Sequence, residues 1–226
     1  MLDTSLPNVR VYTQSCIRLQ GGMAAQPAPV VYLDPFRMTE EPHDAGYVLI
    51  THAHFDHFSP EDIAKVKGPH TELVAPASMA DETAACAEAE GLAAVHLMNA
   101  GETLELPGLT VEAVPAYNVA PERLQCHPRA NGWLGYVLDF DGTRYYAAGD
   151  TDQTPENEQV DCDVALIPIG GTYTMDPAQA AAFVNTIKPQ VAVPIHYGSI
   201  VGTMNDADTF ADAVDSGITV VRKLER

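Results

Sequence analysis

Short apolar runs alternate with turns and a few helices along the whole chain. Val9 to Leu19 has strand character, Val30 to Leu33 ends at Asp34-Pro35, and Tyr47 to Ile50 runs straight into Thr51-His52. Ser59-Pro60-Glu61-Asp62 is a helix start, with a hydroxyl to cap, proline in the first turn and acids against the helix dipole. Leu73 to Ala75 is strand-like, and a helix from Ser78 to about Glu90 is closed by Gly91. The second half repeats the rhythm. Leu109 to Val114 is a strand, and Leu134 to Phe140 and Thr143 to Ala147 flank Asp141-Gly142, a two-residue hairpin signal. Val164 to Ile169 and Val191 to Ile195 are fully apolar, as buried strands are. Between them a helix runs from Asp176-Pro177 to about Ile187, where Lys188-Pro189 stops it. A last helix starts at Asn205 or Asp206 and reaches about Asp215, and Ile218 to Val221 is the final strand. This order predicts packed sheets with helices outside, in one domain spanning residues 1–226. Asn118 to Asn131 is the longest stretch without periodicity, and such loops are often functional.

Charge narrows the partners. The chain has 31 acidic against 12 basic residues, a formal net charge of −19. Such a surface repels phosphate backbones and anionic lipid, so neither nucleic acid nor a membrane surface is expected as a partner. No apolar run approaches the ~18 residues of a membrane span. The N-terminus, MLDTSLPNVRVYTQ, lacks the basic and apolar regions of a secretory signal. Cys16, Cys86, Cys126 and Cys162 form no CxxC pair and read as reduced thiols, so a cytoplasmic location is expected.

One segment carries the chemistry: Thr51-His52-Ala53-His54-Phe55-Asp56-His57. Imidazole nitrogen and carboxylate oxygen are the usual ligands of Zn²⁺ and similar borderline cations. His52 and His54 are two apart and can point the same way past a strand end. A single metal needs three or four ligands, so four donors here and others elsewhere suggest two metals side by side. The distant donors also follow apolar strands: Gly149-Asp150-Thr151 after Tyr145 to Ala148, His196 after Val191 to Ile195, and Asn118 shortly after Val111 to Val114. Strand ends gathered along one edge would make a pocket of convergent donors.

With these motifs the chain resembles the metallo-β-lactamase fold superfamily, whose HxHxDH signature stands here as His52, His54, Asp56 and His57. More narrowly it resembles small metal-dependent hydrolases near the ascorbate-6-phosphate lactonase and N-acyl-phosphatidylethanolamine phospholipase D relatives. The shared segments are Leu33-Asp34-Pro35, Ala148-Gly149-Asp150-Thr151, Leu166-Ile167-Pro168-Ile169-Gly170, Thr174-Met175-Asp176-Pro177 and Val193-Pro194-Ile195-His196-Tyr197. The resemblance implies an α/β (α+β) fold, the four-layered αββα sandwich, with metals at one sheet edge. It implies one metal on His52 and His54, a second on Asp56, His57 and His196, and Asp150 bridging both. Asn118 stands where the family more often has histidine, so either Asn118 completes the first set, or His127 from the following loop does, or that site is partly vacant. Thr13-Gln14-Ser15 replaces a Gly-His-Ser/Ala segment common in relatives.

The expected cofactors are two divalent metal ions, zinc first, with manganese or iron as alternatives. Two adjacent cations hold a bridging hydroxide at neutral pH and neutralise a developing oxyanion. The expected function is therefore a hydrolase cleaving a small ester, lactone or phosphodiester. Asp56 is the expected proton acceptor, and His127, Tyr173 and Tyr197 are candidates to grip a substrate oxygen. The substrate is expected to be a small polar or anionic molecule, and the protein could be a homo-oligomer. Rival readings are a non-catalytic metal-binding member of the fold, a nuclease, which the charge disfavours, and a di-iron reductase, which His54 disfavours because such proteins usually carry Glu there.

Overall fold

A computed structural model of the chain describes residues 2–21 and 29–225. The first half forms β1 (Val9–Val11), β2 (Ile17–Gln20), β3 (Val30–Leu33), β4 (Ala45–Leu49), β5 (Lys67–Pro76) and β6 (Ala94–Met98), paired in that order in one sheet. The second half forms β7 (Thr103–Leu106), β8 (Leu109–Pro115), β9 (Leu134–Phe140), β10 (Thr143–Ala147), β11 (Val164–Pro168), β12 (Val191–Ile195) and β13 (Thr219–Val220). Their order in the second sheet is β13-β12-β11-β10-β9-β8-β7. Helices α1 (Pro60–Val66) and α2 (Ala80–Glu90) belong to the first half, α3 (Pro177–Ile187) and α4 (Asp206–Ala213) to the second.

Three apolar clusters define the layers. One joins the inner faces of the two sheets, with Val11, Leu33 and Leu49 against Val111, Leu138 and Val193. A second packs Tyr146 and Ile167 on the outer face of the second sheet against Phe183, Val184 and Phe210 of α3 and α4. The third packs Tyr32 and Val48 against Ile63 and Val66 of α1 and Cys86 of α2. The result is the expected αββα sandwich, because the central strands are apolar on two faces and each helix packs an apolar face on a sheet.

Local chemistry sets the element ends. Ser59 accepts from the Asp62 amide at the start of α1, and Asp176 with Gln179 makes a capping box on α3. Asp141 and Gly142 both take positive φ (51° and 77°), the backbone a tight β9–β10 hairpin requires. All four cysteines are free.

Several boundaries differ from the sequence reading. Val9 to Leu19 is a hairpin, β1 and β2, rather than one strand. The polar Thr13-Gln14-Ser15 turns the chain there, with Gln14 at φ 49° and the Cys16 amide bonding back to Thr13. β5 begins at Lys67, well before the apolar Leu73 to Ala75, because Gly68 to His70 carry little strand signal. β6 and β7 were not expected; both are only partly buried, so their apolar positions are sparse. The final helix ends at Ala213, slightly short of Asp215.

Strand direction creates the site. β3 to β6 are mutually parallel, as are β10, β11 and β12, and β8 shares their direction because β9 runs antiparallel to both. The carboxyl ends of β3, β4, β8, β10 and β12 therefore deliver Asp34, the His52 loop, Asn118, Asp150 and His196, each within a few residues of its strand.

Candidate metal centre

The His52 loop, which continues β4 of the first sheet, is fastened to β9 of the second. Leu134 N donates to Thr51 O (3.1 Å), and the buried Tyr136 hydroxyl donates to Ile50 O (2.7 Å). Beyond Thr51 the chain closes a turn in which His57 N and Phe58 N donate to His54 O. That turn places His52, His54, Asp56 and His57 around one point.

Three donor groups lie within ligand reach, their ligand atoms all within 4.8 Å of one another: His52, His54 and His127; His52, His57 and Asp150; and Asp56, His57 and His196. His127 Nε2 is 3.3 Å from Asp150 Oδ2, and His196 Nε2 is 3.3 Å from the same oxygen. His57 Nε2 lies 3.5 Å from Asp150 Oδ1 and 3.7 Å from Asp56 Oδ2. Every one of these side chains is buried except His54, which is half-buried. Among the described residues, His57 Nε2, His127 Nε2 and Asp150 Oδ1 are buried with no hydrogen-bond partner. Buried polar atoms are nearly always paired, and orphans converging on one point suit a cation.

The tautomers fit as well. His127 Nδ1 donates to Asn118 Oδ1 (2.8 Å), which leaves Nε2 as the lone pair facing Asp150. Of the two residues expected to complete the first donor set, His127 therefore presents a nitrogen to the cluster and Asn118 orients it. His57 Nδ1 donates to Asp34 Oδ2 (2.7 Å). Asp34 also accepts from Thr51 N (2.8 Å) and Thr51 Oγ1 (2.7 Å), and that hydroxyl in turn accepts from His52 Nδ1 (2.9 Å). One buried carboxylate thus sets Nε2 of both His52 and His57 toward the centre, the outer-shell arrangement usual for metal-binding imidazoles. Asp34 stood in a recognised segment, but nothing in its sequence context gave it this role.

Electrostatics point the same way. Burial, followed by the neighbouring His57, holds His52 well below the usual imidazole range, so it is neutral. Burial opposes charge on Asp150, yet the imidazoles of His196, His57 and His127 outweigh it and keep the carboxyl well below the carboxylate range. Burial also opposes charge on His57, but Asp150, Asp34 and Asp56 outweigh it and raise the group to about 9. Ionised carboxylates crowded with imidazoles bind a divalent cation in place of shared protons.

Further residues frame the centre. Gln14, fully buried, places Nε2 3.2 Å from His196 Nε2 and 3.4 Å from Asp56 Oδ2. The half-buried Trp133 packs on His52 and His54, with ring centroids 4.9 and 4.8 Å apart. The sequence reading gave neither residue a role at the site. Gln14, Asp34 and His196 all have positive φ, at 49°, 44° and 56°. Such backbone strain gathers where a site is held in shape by its surroundings. Tyr173 is exposed on the loop after β11, whereas Tyr197 is buried in the outer core against α3 and α4.

An αββα sandwich with a His/Asp cluster at the carboxyl ends of its strands is the metallo-β-lactamase fold. The family model described as "Beta-lactamase superfamily domain" matches residues 17–197, and the chain belongs to that superfamily. It is 32% identical over 212 residues to a "UPF0173 metal-dependent hydrolase" of Methanosphaerula palustris, covering 89% of this chain and 88% of the relative. A relative of the same description from Methanopyrus kandleri is 34% identical over 197 residues, with 82% and 84% covered. Among solved structures, a putative metal-dependent hydrolase from Parabacteroides distasonis superposes with TM-score 0.74 at 30% identity, covering 96% of this chain and 93% of that one. The diiron β-hydroxylase CmlA of Streptomyces venezuelae shares the fold alone, at 17% identity and TM-score 0.68, covering 95% of this chain and 52% of its own.

Proposed function

We propose that this metal-dependent hydrolase holds two divalent cations and cleaves a small ester, lactone or phosphodiester. The observation that carries the reading is the set of three donor groups that share His52 and His57 and close around buried, unpartnered nitrogen and oxygen atoms. His52, His54 and His127 would hold one cation, Asp56, His57 and His196 the other, with Asp150 between them. Zinc suits the histidine-rich first set, and manganese or iron suits the carboxylate-containing second. Cations bound there would acidify water and neutralise charge developing on a substrate oxygen.

The protein's own groups do the rest. Asp34 and Asn118 fix the imidazole tautomers, so no reorientation is needed when a cation or substrate arrives. Asp56 accepts and later returns a proton; it is ionised because His196 and His57 outweigh the effect of its burial. Trp133 shields the His52–His54 side from water. Tyr173, on an exposed loop, is the candidate to contact a substrate oxygen. With three imidazoles facing the first position, the Asn118 substitution does not by itself argue for a non-catalytic member of the fold.

The test is elemental analysis of the purified protein, followed by assays on bis-p-nitrophenyl phosphate, p-nitrophenyl esters and a lactone panel with added Zn²⁺ or Mn²⁺. Close to two metals per chain and turnover of one bond class are expected. Failure to take up metal, or full metal content without turnover of any of the three classes, overturns the reading.

A further inference from the structure

Arginine stands out in a chain of charge −19 when no carboxylate answers it. Among the described residues, every arginine except Arg37 has a carboxylate oxygen within 4.0 Å. Arg37 is exposed and lies in the segment after Asp34, whose carboxylate bonds His57. One guanidinium nitrogen donates to Ser199 Oγ (3.2 Å), three residues past His196. The neighbouring Ile200 amide donates to Gln14 Oε1 (3.4 Å), and the same Gln14 reaches Asp56 and His196. The guanidinium also lies over the Phe36 ring, 5.0 Å from its centroid. Phe36 meets Phe55 edge-on at 5.9 Å, and Phe55 sits between His54 and Asp56 with 67% of its surface exposed. Two independent chains of contact therefore tie Arg37 to the rim on the Asp56–His196 side.

Its backbone is built for the purpose. Arg37 has φ 50°, a left-handed conformation uncommon for any residue but glycine, asparagine or aspartate. The buried Asp62 carboxylate holds it there, accepting from Arg37 N (2.9 Å) and Met38 N (3.0 Å). An outlier pinned by a buried carboxylate, presenting a cation without a carboxylate partner near the proposed metal centre, calls for a functional reason. A guanidinium offers five donors in a planar fork that matches carboxylate or phosphate oxygens, and Ser199 takes only one of them.

We propose that Arg37 is a specificity residue that grips a second, anionic group of the substrate, a carboxylate or a phosphate remote from the scissile bond. The proposal rests on the metal-centred reading above and narrows it to anionic substrates. The scissile group would face the His/Asp cluster while the anionic end meets Arg37, whose guanidinium has no carboxylate partner in a strongly acidic chain.

Three hydroxamates of equal length, ending in a carboxylate, a phosphonate or a methyl group, test this on zinc-loaded protein. The hydroxamate end seeks metal, and Trp133, the chain's single tryptophan, reports binding by its fluorescence. Both anionic ligands are expected to bind at least about fivefold more tightly than the methyl ligand. Arg37→Gln should remove that preference while leaving the methyl ligand within about twofold, and Arg37→Lys should restore part of it. A larger gain for one anionic ligand identifies which group the substrate carries. Equal affinity of all three for the wild-type protein, or equal weakening of all three by Arg37→Gln, overturns the proposal and leaves the metal-centred reading intact. No binding of any hydroxamate to the wild-type protein overturns both.

Discussion

Asp34 offers the sharpest test of how the centre is held. Its carboxylate accepts three hydrogen bonds, from Thr51 N, Thr51 Oγ1 and His57 Nδ1, at 2.8, 2.7 and 2.7 Å. Asp34→Asn keeps the shape but turns one acceptor into a donor. With the amide oxygen on Thr51 N, its NH₂ faces the His57 Nδ1 proton. His57 then gives up that proton, accepts at Nδ1 and carries hydrogen on Nε2, the atom turned toward Asp56 and Asp150. A protonated Nε2 has no lone pair for a cation. Losing an outer-shell partner of a metal-binding histidine typically weakens metal binding about 10–100-fold, or ~1.4–2.8 kcal/mol.

Asp34→Ala removes more contacts yet leaves His57 free to choose its tautomer. Competition with a chromogenic chelator near pH 7, with circular dichroism to verify folding, measures the affinities. The Asn variant should lose at least tenfold for one metal equivalent, and the Ala variant should lose less than the Asn variant. If Asn binds both equivalents within about twofold of wild type, or better than Ala, the tautomer argument is wrong.

Three further outcomes follow from the same geometry. Asp152→Ala should lower thermal stability by about 3 kcal/mol, the low end of the cost of breaking a buried ion pair, because Arg123 keeps Gln179 and a longer contact to Glu122. Asp152 accepts from the buried Arg123 (2.7 Å) and from Val119 N and Ala120 N, and so clamps the loop that brings His127 in. A scanning-calorimetry shift below about 2 °C would contradict this. Metal titration should change Trp133 emission, since its ring lies within 5 Å of the His52 and His54 rings. Trp133→Phe should abolish the signal while metal uptake, measured by elemental analysis, persists. Asp62→Asn should destabilise the protein at neutral pH and do so less as the pH falls. Burial works against the Asp62 charge, but hydrogen bonds from Lys65, Ser59 and the Met38 and Arg37 amides outweigh it and lower the group below its ordinary 3.8. A lowered folded value stabilises above the unfolded one and is lost as pH falls through it. Urea melts of both proteins at pH 7 and near pH 3 should differ less at the lower pH; a constant gap would refute the assignment.

What the chain disclosed beforehand follows from the range of each interaction. The apolar runs of β11 and β12 and the turn chemistry of Asp141-Gly142 are local, and they were legible. Sheet edges were not: β6 and β7 bury too little to write a strong pattern, and β5 starts on residues with no strand signal. The candidate ligands could be named for the same reason as the strands, because metal chemistry constrains residue type and spacing within His52 to His57. What aims those ligands depends on the tertiary fold. Asp34 reaches His57 from the end of a neighbouring strand, Trp133 lies on His52 from the other sheet, and Gln14 meets His196 across 182 positions. A strand end can present a histidine from sequence alone; a hydrogen bond from another layer decides which nitrogen it presents. The residues that tune this centre should therefore be sought among the buried polar groups contacting its ligands, where substitutions alter metal affinity without removing any donor.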